Sequence, residues 1–260
     1  VIYFNFDYLD RPSPFITDKD GKPLTKNPLL DPRVRRAMSK AINRQAIAER
    51  VMEGQAIPSG QLVSDKLFGF VPALKPETYD LEGAKKLLAE AGYPNGFNLT
   101  LHGPSGRYVN DEKIIQAVAQ MLTRAGIQSK VETAPMAPYS SRASKQEFSV
   151  FMVGWGASTG EASSPLRALL ATFNRDKGLG AVNWGRYSNP KVDYLIEQAL
   201  QQVDDRNRLN MLQRATELSM SDLGIMPIHF QFTMWATKKN VQYTPRTDEY
   251  TLAFQFKPVK

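Results

Sequence analysis

The order of the predicted elements indicates an α/β fold in which helices flank a mixed sheet. Strand-like apolar runs alternate along the chain with amphipathic helices, the pattern of layered α/β proteins. Two runs, "FSVFMV" (148–153) and "IMPIHFQFTMWAT" (225–237), are almost continuously apolar, which is typical of strands buried on both faces. The chain has 260 residues, enough for one large domain or two modest ones.

The first third of the chain begins with a strand and continues into paired helices. Asp31 predicts a helix start because its carboxylate can accept from the free amides of the first turn, and Pro32 fits the first helical position. Asn43 caps a second helix, which Gly54 closes. The predicted elements are a strand over 3–9, a surface connection over 11–30, helices over 31–42 and 43–54, and a loop over 55–78.

The rest of the chain alternates helices and strands. Asp80 caps one helix, and Gly92 followed by Pro94 is the expected stop signal. Helices are predicted over 80–91, 111–125, 138–146, 165–172, 190–202 and 205–222, and strands over 97–103, 127–133, 148–153 and 225–237. The polar tail over 237–260 contains a possible strand at 250–256.

Composition excludes several classes of function. The chain has no cysteine, so disulfides, thiol nucleophiles and thiolate metal sites are absent. The formal net charge is +7, but the basic residues are spread through the sequence and interleaved with 26 acidic ones. The densest basic set is Arg33, Arg35, Arg36, Lys40 and Arg44. Within this set Arg33, Arg36 and Lys40 share one helix face, which fits the solvated face of an amphipathic helix. We therefore expect no nucleic-acid partner.

Catalytic and cofactor motifs are also missing. The two histidines, His102 and His229, lie far apart in predicted strands and form no metal-binding spacing. No GxSxG elbow surrounds a serine. Gly154-Trp155-Gly156 resembles the start of a phosphate loop, but the next glycine, Gly160, comes one position late and no Lys-Ser/Thr pair follows. We expect no catalytic residue, no cofactor and no metal.

The stretch "GWGASTGEASSP" (154–165) follows a buried strand with one tryptophan and then small, hydroxyl-bearing residues. A plain connection could be much shorter. By itself the stretch is compatible with a mobile loop, a phosphate cradle or the wall of a binding cleft.

Several longer stretches resemble the peptide/nickel class (family 5) of ABC-transporter solute-binding proteins. They are "DPRVRRAMSKAINRQAIAERVMEGQAIP" (31–58), "YDLEGAKKLLAEAGYPNGFNLTL" (79–101), "VGW" (153–155), "GRYSNPKVDYLIEQAL" (185–200) and "IMPIHFQF" (225–232). They occur in the order that the family gives, and the resemblance extends from about Tyr3 to Val241. The loop "STGEAS" (158–163) resembles the glutathione-binding branch.

This resemblance implies a two-lobed periplasmic receptor that closes on a solute and delivers it to a membrane permease driven by an ATPase. The sheet then belongs to a type II periplasmic-binding-protein-like lobe. Such proteins are about twice as long, so the chain is expected to be a C-terminal half. Residues 1–235 would form the ligand-binding lobe, with hinge strands near 3–9 and 226–236. Residues 236–260 would start the return to the N-terminal lobe.

The same resemblance implies that the loop over 154–165 borders the solute. Trp155 supplies an apolar wall, Gly156 lets the backbone approach, and Ser158, Thr159 and Glu161 supply polar groups. Similar peptide-binding proteins often carry an aspartate at the position of Ser158 that pairs with the peptide's amino group. Glu161 either takes over this pairing or is a loop or early-helix acid.

Further candidate ligand-binding residues follow other strands and loops. Asn183, Arg186 and Tyr187 lie in the next loop and could border the same cleft. Arg107 and Tyr108 follow a predicted strand, and the arginine could bind a solute carboxylate in bidentate fashion. The favoured solute is a peptide or peptide-like compound. The alternatives are a sugar, an opine, haem or a nickel chelate on the same fold, and, more distantly, an α/β enzyme or a nucleic-acid-binding module.

Overall fold

The computed structural model describes residues 1–246 and 248–259. The strands are β1 (Ile2–Phe6), β2 (Ile16–Thr17), β3 (Ala56–Pro58), β4 (Asn98–Ser105), β5 (Gln128–Pro135), β6 (Val150–Gly154), β7 (Met226–Gln231), β8 (Val241–Tyr243) and β9 (Phe256–Pro258). The helices are α1 (Pro32–Ala41), α2 (Arg44–Ala46), α3 (Leu81–Glu90), α4 (Asp111–Arg124), α5 (Met136–Ser144), α6 (Ser163–Pro165), α7 (Pro190–Gln201) and α8 (Asp205–Ser221). Wider π-helical turns extend α2 over Ile47–Val51 and α6 over Leu166–Leu170.

The predicted helix starts are confirmed by their capping bonds. The Asp31 carboxylate accepts from the amide of Arg33 at 2.8 Å, and the Asn43 side chain accepts from the amide of Ala46 at 2.9 Å. Asp80 caps α3 in the same way through Gly83, at 2.8 Å. Each bond satisfies an amide that the helix itself leaves without a partner.

A mixed, seven-stranded sheet forms the centre of the fold. Its strand order is β2-β4-β6-β1-β7-β3, and β5 pairs with β4. Strands β8 and β9 form a separate two-stranded sheet in the tail. The mixed α/β class predicted from the alternation of elements is confirmed.

Two apolar layers cover the two faces of the main sheet. Phe4 and Met152 point into a core that also contains buried residues of α1 to α4. Tyr3, Phe151 and Val153 point to the opposite side, into a core shared with α5 to α8. Because neighbouring residues of β1 and β6 enter different cores, these strands are buried on both faces, as their continuous apolar runs predict.

Three sequence expectations about elements are wrong in detail. The strand predicted over 225–237 ends at Gln231, because the partner strand β3 pairs only with His229, Phe230 and Gln231. Beyond that point Met234 is 69% exposed. In the tail, 253–255 form a 3₁₀ turn, and only Phe256 of the possible strand at 250–256 is extended, in β9. The presumed loops over 11–30 and 55–78 contain the short strands β2 and β3.

Candidate functional site

One edge of the sheet collects the carboxyl ends of β4, β6 and β7. Strands β4 and β6 pair in parallel, and β1 runs antiparallel to both β6 and β7. Strand β7 therefore runs in the same direction as β6, and the start of β1 lies beside their ends. In open α/β sheets, ligands bind in the crevice outside the carboxyl ends of the strands. The topology thus assigns the candidate site to this edge.

A cavity of about 530 Å³ opens at this edge. Its walls come from the start of β1, the loops that follow β3, β4 and β6, the end of β7 and part of the tail. The lining residues are 1–2, 62–64, 66–67, 107–109, 154–157, 230–233, 235, 245–246 and 249. This volume lies within the range of about 300–1,000 Å³ that is typical of small-ligand pockets.

Trp155 is part of the cavity wall, and its backbone is fixed by β1. Its amide donates to the carbonyl of Val1 at 2.9 Å, and its carbonyl accepts from the nitrogen of Val1 at 2.8 Å. These two bonds extend the β1–β6 ladder by one residue pair beyond Ile2 and Gly154. The ring packs against the core that the sheet shares with α5 to α8. Its indole nitrogen is buried without a partner in the described part of the chain. Trp155 thus combines a rigid apolar surface with an unused donor.

Tyr108 lies directly over the end of β6. A Cβ atom on Gly154 would come within 2.6 Å of the Tyr108 ring, so only glycine allows this contact. The Tyr108 hydroxyl donates to the carbonyl of Gly154 at 3.3 Å, and burial raises the pKa of this hydroxyl. The Asp111 carboxylate accepts from the amides of Arg107 and Tyr108 at 2.8 and 3.0 Å. These contacts fix the loop before α4 in place.

The charges at the cavity are mostly positive. Lys66, Arg107 and Arg246 line it, and Glu249 is the acidic residue among the lining positions. The Arg246 guanidinium is paired with Asp248, at 2.8 Å between Nε and Oδ1. The exposed guanidinium of Arg107 stacks near the ring of Tyr108, at 5.2 Å from its centroid. This cation, exposed at the cavity, fits an anionic group of a ligand.

Ser158 and Thr159 lie at a smaller, adjoining cavity of about 390 Å³. This cavity shares Ala157, Pro245 and Arg246 with the main one. Both hydroxyl-bearing residues are exposed. The loop over 154–165 therefore borders the main cavity with its first residues and the adjoining cavity with the next ones.

Glu161 lines neither cavity. Its carboxylate forms a bidentate ion pair with Arg208 of α8, with both N–O distances at 2.6 Å, and accepts from the hydroxyl of Ser163. The hydrogen bonds from Arg208 lower the pKa of Glu161. An amino group of a ligand would have to displace this arginine.

Asn183, Arg186 and Tyr187 do not line either cavity. Asn183 is buried, donates to the carbonyls of Ala171 and Tyr187 at 3.0 and 2.7 Å, and accepts from the amide of Tyr187. Tyr187 donates through its hydroxyl to Asp222 at 2.6 Å. Arg186 stacks on Phe173, at 4.0 Å from the ring centroid. These residues hold together the turn before α7.

Two walls of the cavity have no counterpart in the sequence expectations. One is the loop over 62–67, which Gln61 anchors by donating to the carbonyl of Val71 and accepting from its amide, both at 2.9 Å. The other is the end of β7 with Trp235 and Glu249 of the tail. The rule that carboxyl strand ends share one edge could have indicated the end of β7. Local composition gives no comparable signal for the loop.

The two histidines lie in the protein interior. The His102 ring stacks on Phe148 and meets Phe15 edge-on, and its Nε2 lies 3.2 Å from a carboxylate oxygen of Glu132. Burial lowers the pKa of His102 and of His229 to about 4. Within residues 1–246 and 248–259, no group of three or more histidine, aspartate or glutamate residues is arranged to hold a metal ion. None of the described helices has the length and apolarity needed to cross a membrane.

Comparison with known proteins defines the class of this chain. Residues 1–177 match the family described as bacterial extracellular solute-binding proteins, family 5 Middle. The chain therefore belongs to this family of solute-binding proteins. This membership confirms the resemblance found in the sequence and the extracytoplasmic location that it implies.

The proteins similar to this chain include GsiB, HbpA2 and DppA. The chain is 32% identical over 223 residues to the glutathione-binding protein GsiB of Escherichia coli (strain K12), a match that covers 84% of the chain and 43% of GsiB. It is similar in structure to HbpA2 of Haemophilus parasuis, with a TM-score of 0.82 and 23% identity over 100% of the chain and 48% of HbpA2. A further neighbour is the periplasmic binding protein DppA of Helicobacter pylori in complex with the peptide STSA (TM-score 0.73, 24% identity, 88% of the chain and 43% of DppA).

These neighbours confirm the type II periplasmic-binding fold. The chain spans less than half the length of each of these three proteins. The homologues are binding proteins rather than enzymes.

Proposed function

We propose that this chain is the ligand-binding lobe of the solute-binding component of an ABC import system. In this proposal it binds a peptide or peptide-like solute in an interlobe cleft, and the complete protein delivers the solute to a permease driven by an ATPase. The observation that carries the proposal is the cavity at the carboxyl edge of the sheet, where β1 begins and β7 ends. The names of GsiB and DppA, which refer to glutathione binding and to a peptide complex, support this solute class.

The solute would contact four of the residues expected from the sequence. Trp155 offers the accessible part of its ring, and Gly156 exposes backbone. Arg107 would bind a carboxylate, since a guanidinium can form paired charge-assisted hydrogen bonds with it. Tyr108 would form part of the wall of the main cavity.

The remaining expected residues would act at a distance from the solute or at its margin. Ser158 and Thr159 border the adjoining cavity and could contact a longer solute there. Asn183, Arg186 and Tyr187 would support the fold of the lobe, because their polar groups are occupied by internal contacts. The amino group of a peptide would then be bound by Glu249 at the main cavity, the acidic lining residue, rather than by Glu161.

The proposal also divides the chain into a ligand-binding lobe and a segment that leads to a second lobe. Residues 1–235 would form the lobe, and residues 236–260 would start the return to a second lobe. Strands β1 and β7 pair side by side and reach the edge with the cavity, which suits hinge segments near 3–9 and 226–236. Closure of two lobes about such crossings requires no catalytic residue. We accordingly propose a binding function without turnover.

The direct test is isothermal titration of the full-length protein with reduced glutathione and with the peptide Ser-Thr-Ser-Ala. We expect at least one of them to bind, and the variant Trp155→Ala to weaken that binding while the protein still unfolds cooperatively. Glucose, an opine, haem and a nickel–histidine complex test the alternative solute classes. Binding of one of these, with neither peptide bound, would replace the peptide assignment while keeping the receptor function.

A further inference from the structure

Two loops that line the main cavity are joined to each other behind it. The loop over 62–70 and the loop over 154–162 pair as a short parallel bridge between Phe68 and Glu161. The amide of Phe68 donates to the carbonyl of Gly160 at 3.1 Å, and the amide of Ala162 donates to the carbonyl of Phe68 at 2.8 Å. These two hydrogen bonds connect the backbones of the two loops directly.

The two loops approach each other so closely that only glycine fits at position 69. Gly69 has a φ of +92°, and a Cβ atom at this position would lie 2.6 Å from the Cβ of Ala162 and 3.4 Å from that of Leu212 in α8. The backbone of the first loop is thus pressed against both the second loop and the helix. Gln213 of α8 adds a hydrogen bond to the carbonyl of Phe70 at 2.6 Å.

The ion pair between Glu161 and Arg208 links the same two loops to α7 and α8. Arg208 projects from the first turns of α8, binds both carboxylate oxygens of Glu161 and lies 5.8 Å from the centre of the Phe68 ring. Its Nε also donates to the carbonyl of Ala199 near the end of α7 at 3.2 Å. The Arg208 and Glu161 side chains are only 21% and 19% exposed, so water screens the pair less than it screens a surface ion pair. One arginine consequently contacts both cavity loops and two helices.

From this geometry we infer that Glu161 and Arg208 are positioning residues that hold the cavity wall in its binding shape before the solute arrives. The inference rests on the proposed function for its biological meaning, but its structural content does not require a ligand. A wall that is ordered in advance avoids the cost of ordering loops on binding, which otherwise reduces affinity.

Hydrogen exchange of the full-length protein tests the inference without any solute. In Glu161→Gln we expect the amides over 62–68 and 154–160 to exchange about tenfold faster, while those of β4 and β6 keep their protection. Arg208→Gln should have at least this effect, because it also removes the bond to the Ala199 carbonyl and the contact with the Phe68 ring. The double variant should not exceed Arg208→Gln, because the ion pair is already lost in that single variant. Arg208→Lys, which retains charge but not the bidentate geometry, should be intermediate.

The matched control is Glu77→Gln, which removes ion pairs with Arg36 and Lys40 of α1 away from the cavity. It should leave exchange in both loops unchanged. Titration with reduced glutathione completes the test: we expect Glu161→Gln to lower affinity about tenfold, and Glu77→Gln to leave it unchanged.

The two proposals fail in different ways. Unchanged exchange in both loops of Glu161→Gln and Arg208→Gln would overturn the inference, even where the wild-type protein binds glutathione. Faster exchange in those loops alone would support it, even if neither glutathione nor the peptide Ser-Thr-Ser-Ala binds the wild-type protein, in which case the peptide assignment fails. Faster exchange throughout β4 and β6 as well would overturn it in favour of a general contribution to stability.

Discussion

The glycine at the end of β6 provides a sharp test of the cavity geometry. In Gly154→Ala the new methyl group would lie 2.6 and 2.8 Å from Cε1 and Cζ of Tyr108 and 2.9 Å from Cδ1 of Ile2. Contacts this short cannot persist, so the tyrosine ring or the strand end must shift. Gly156, two residues later, also lines the cavity but has no atom within 4 Å of a built Cβ.

The expected magnitudes follow from these contacts. Adding a methyl group to a tightly packed position costs about 1–3 kcal/mol in the free energy of unfolding. A change on an open surface stays within about 0.5 kcal/mol. Because the ring of Tyr108 is part of the cavity wall, its displacement should also weaken solute binding by about 1 kcal/mol, a factor of about five.

The assay compares urea denaturation and glutathione titration for Gly154→Ala and Gly156→Ala in the full-length protein. We expect Gly154→Ala to lose stability and affinity, and Gly156→Ala to keep the stability of the wild type. Equal stability and equal affinity of the two variants would refute the claim that Tyr108 packs on Gly154 at the cavity wall.

Three further predictions concern the site and its surroundings. Arg107→Gln should weaken glutathione binding about tenfold by removing a charge-assisted hydrogen bond, with a loss that shrinks as salt is added to the titration. Equal affinity at all salt concentrations would remove Arg107 from the site. Asn183→Ala should destabilise the protein by about 2–4 kcal/mol in urea, because it leaves buried backbone groups without partners, and should leave affinity unchanged. A selective loss of affinity would instead return Asn183 to the cleft. The folded-state pKa of His229, about 4, lies below the unfolded value of about 6.5, so the unfolded state binds more protons between these values. The contribution of His229 to stability should therefore be full above pH 6.5 and fall by about 1 kcal/mol per pH unit toward pH 4, and His102, whose pKa is lowered to the same value, should add a similar loss. A flat urea midpoint between pH 7.5 and 5 would contradict the burial of the two histidines.

Local sequence signals predicted the local structure well. Asp31, Asn43 and Asp80 cap the helices that they were expected to start, because a cap depends only on residues within one turn. The apolar run over 148–153 lies in the centre of the sheet, because a strand with no polar face must be covered on both sides.

Long-range pairing was beyond the reach of the sequence. Nothing near Glu161 in the sequence indicates that Arg208 binds its carboxylate, because the two residues meet only when α8 packs against the cavity loops. The expected cluster of Asn183, Arg186 and Tyr187 failed to reach the cavity for a related reason. Its side chains find partners in their own turn and in Asp222. The loop over 62–67 reaches the cavity through packing that its own composition does not encode.

The central claim is that the cavity at the carboxyl edge of the sheet belongs to a peptide receptor. Native mass spectrometry of the full-length protein, purified gently from the periplasm, tests it most directly. We predict a co-purifying mass of a peptide or of a glutathione-like compound that leaves on collision and that is lost in Trp155→Ala. The peptide assignment would be contradicted if the purified protein carried no bound compound and if neither glutathione nor Ser-Thr-Ser-Ala changed its melting temperature.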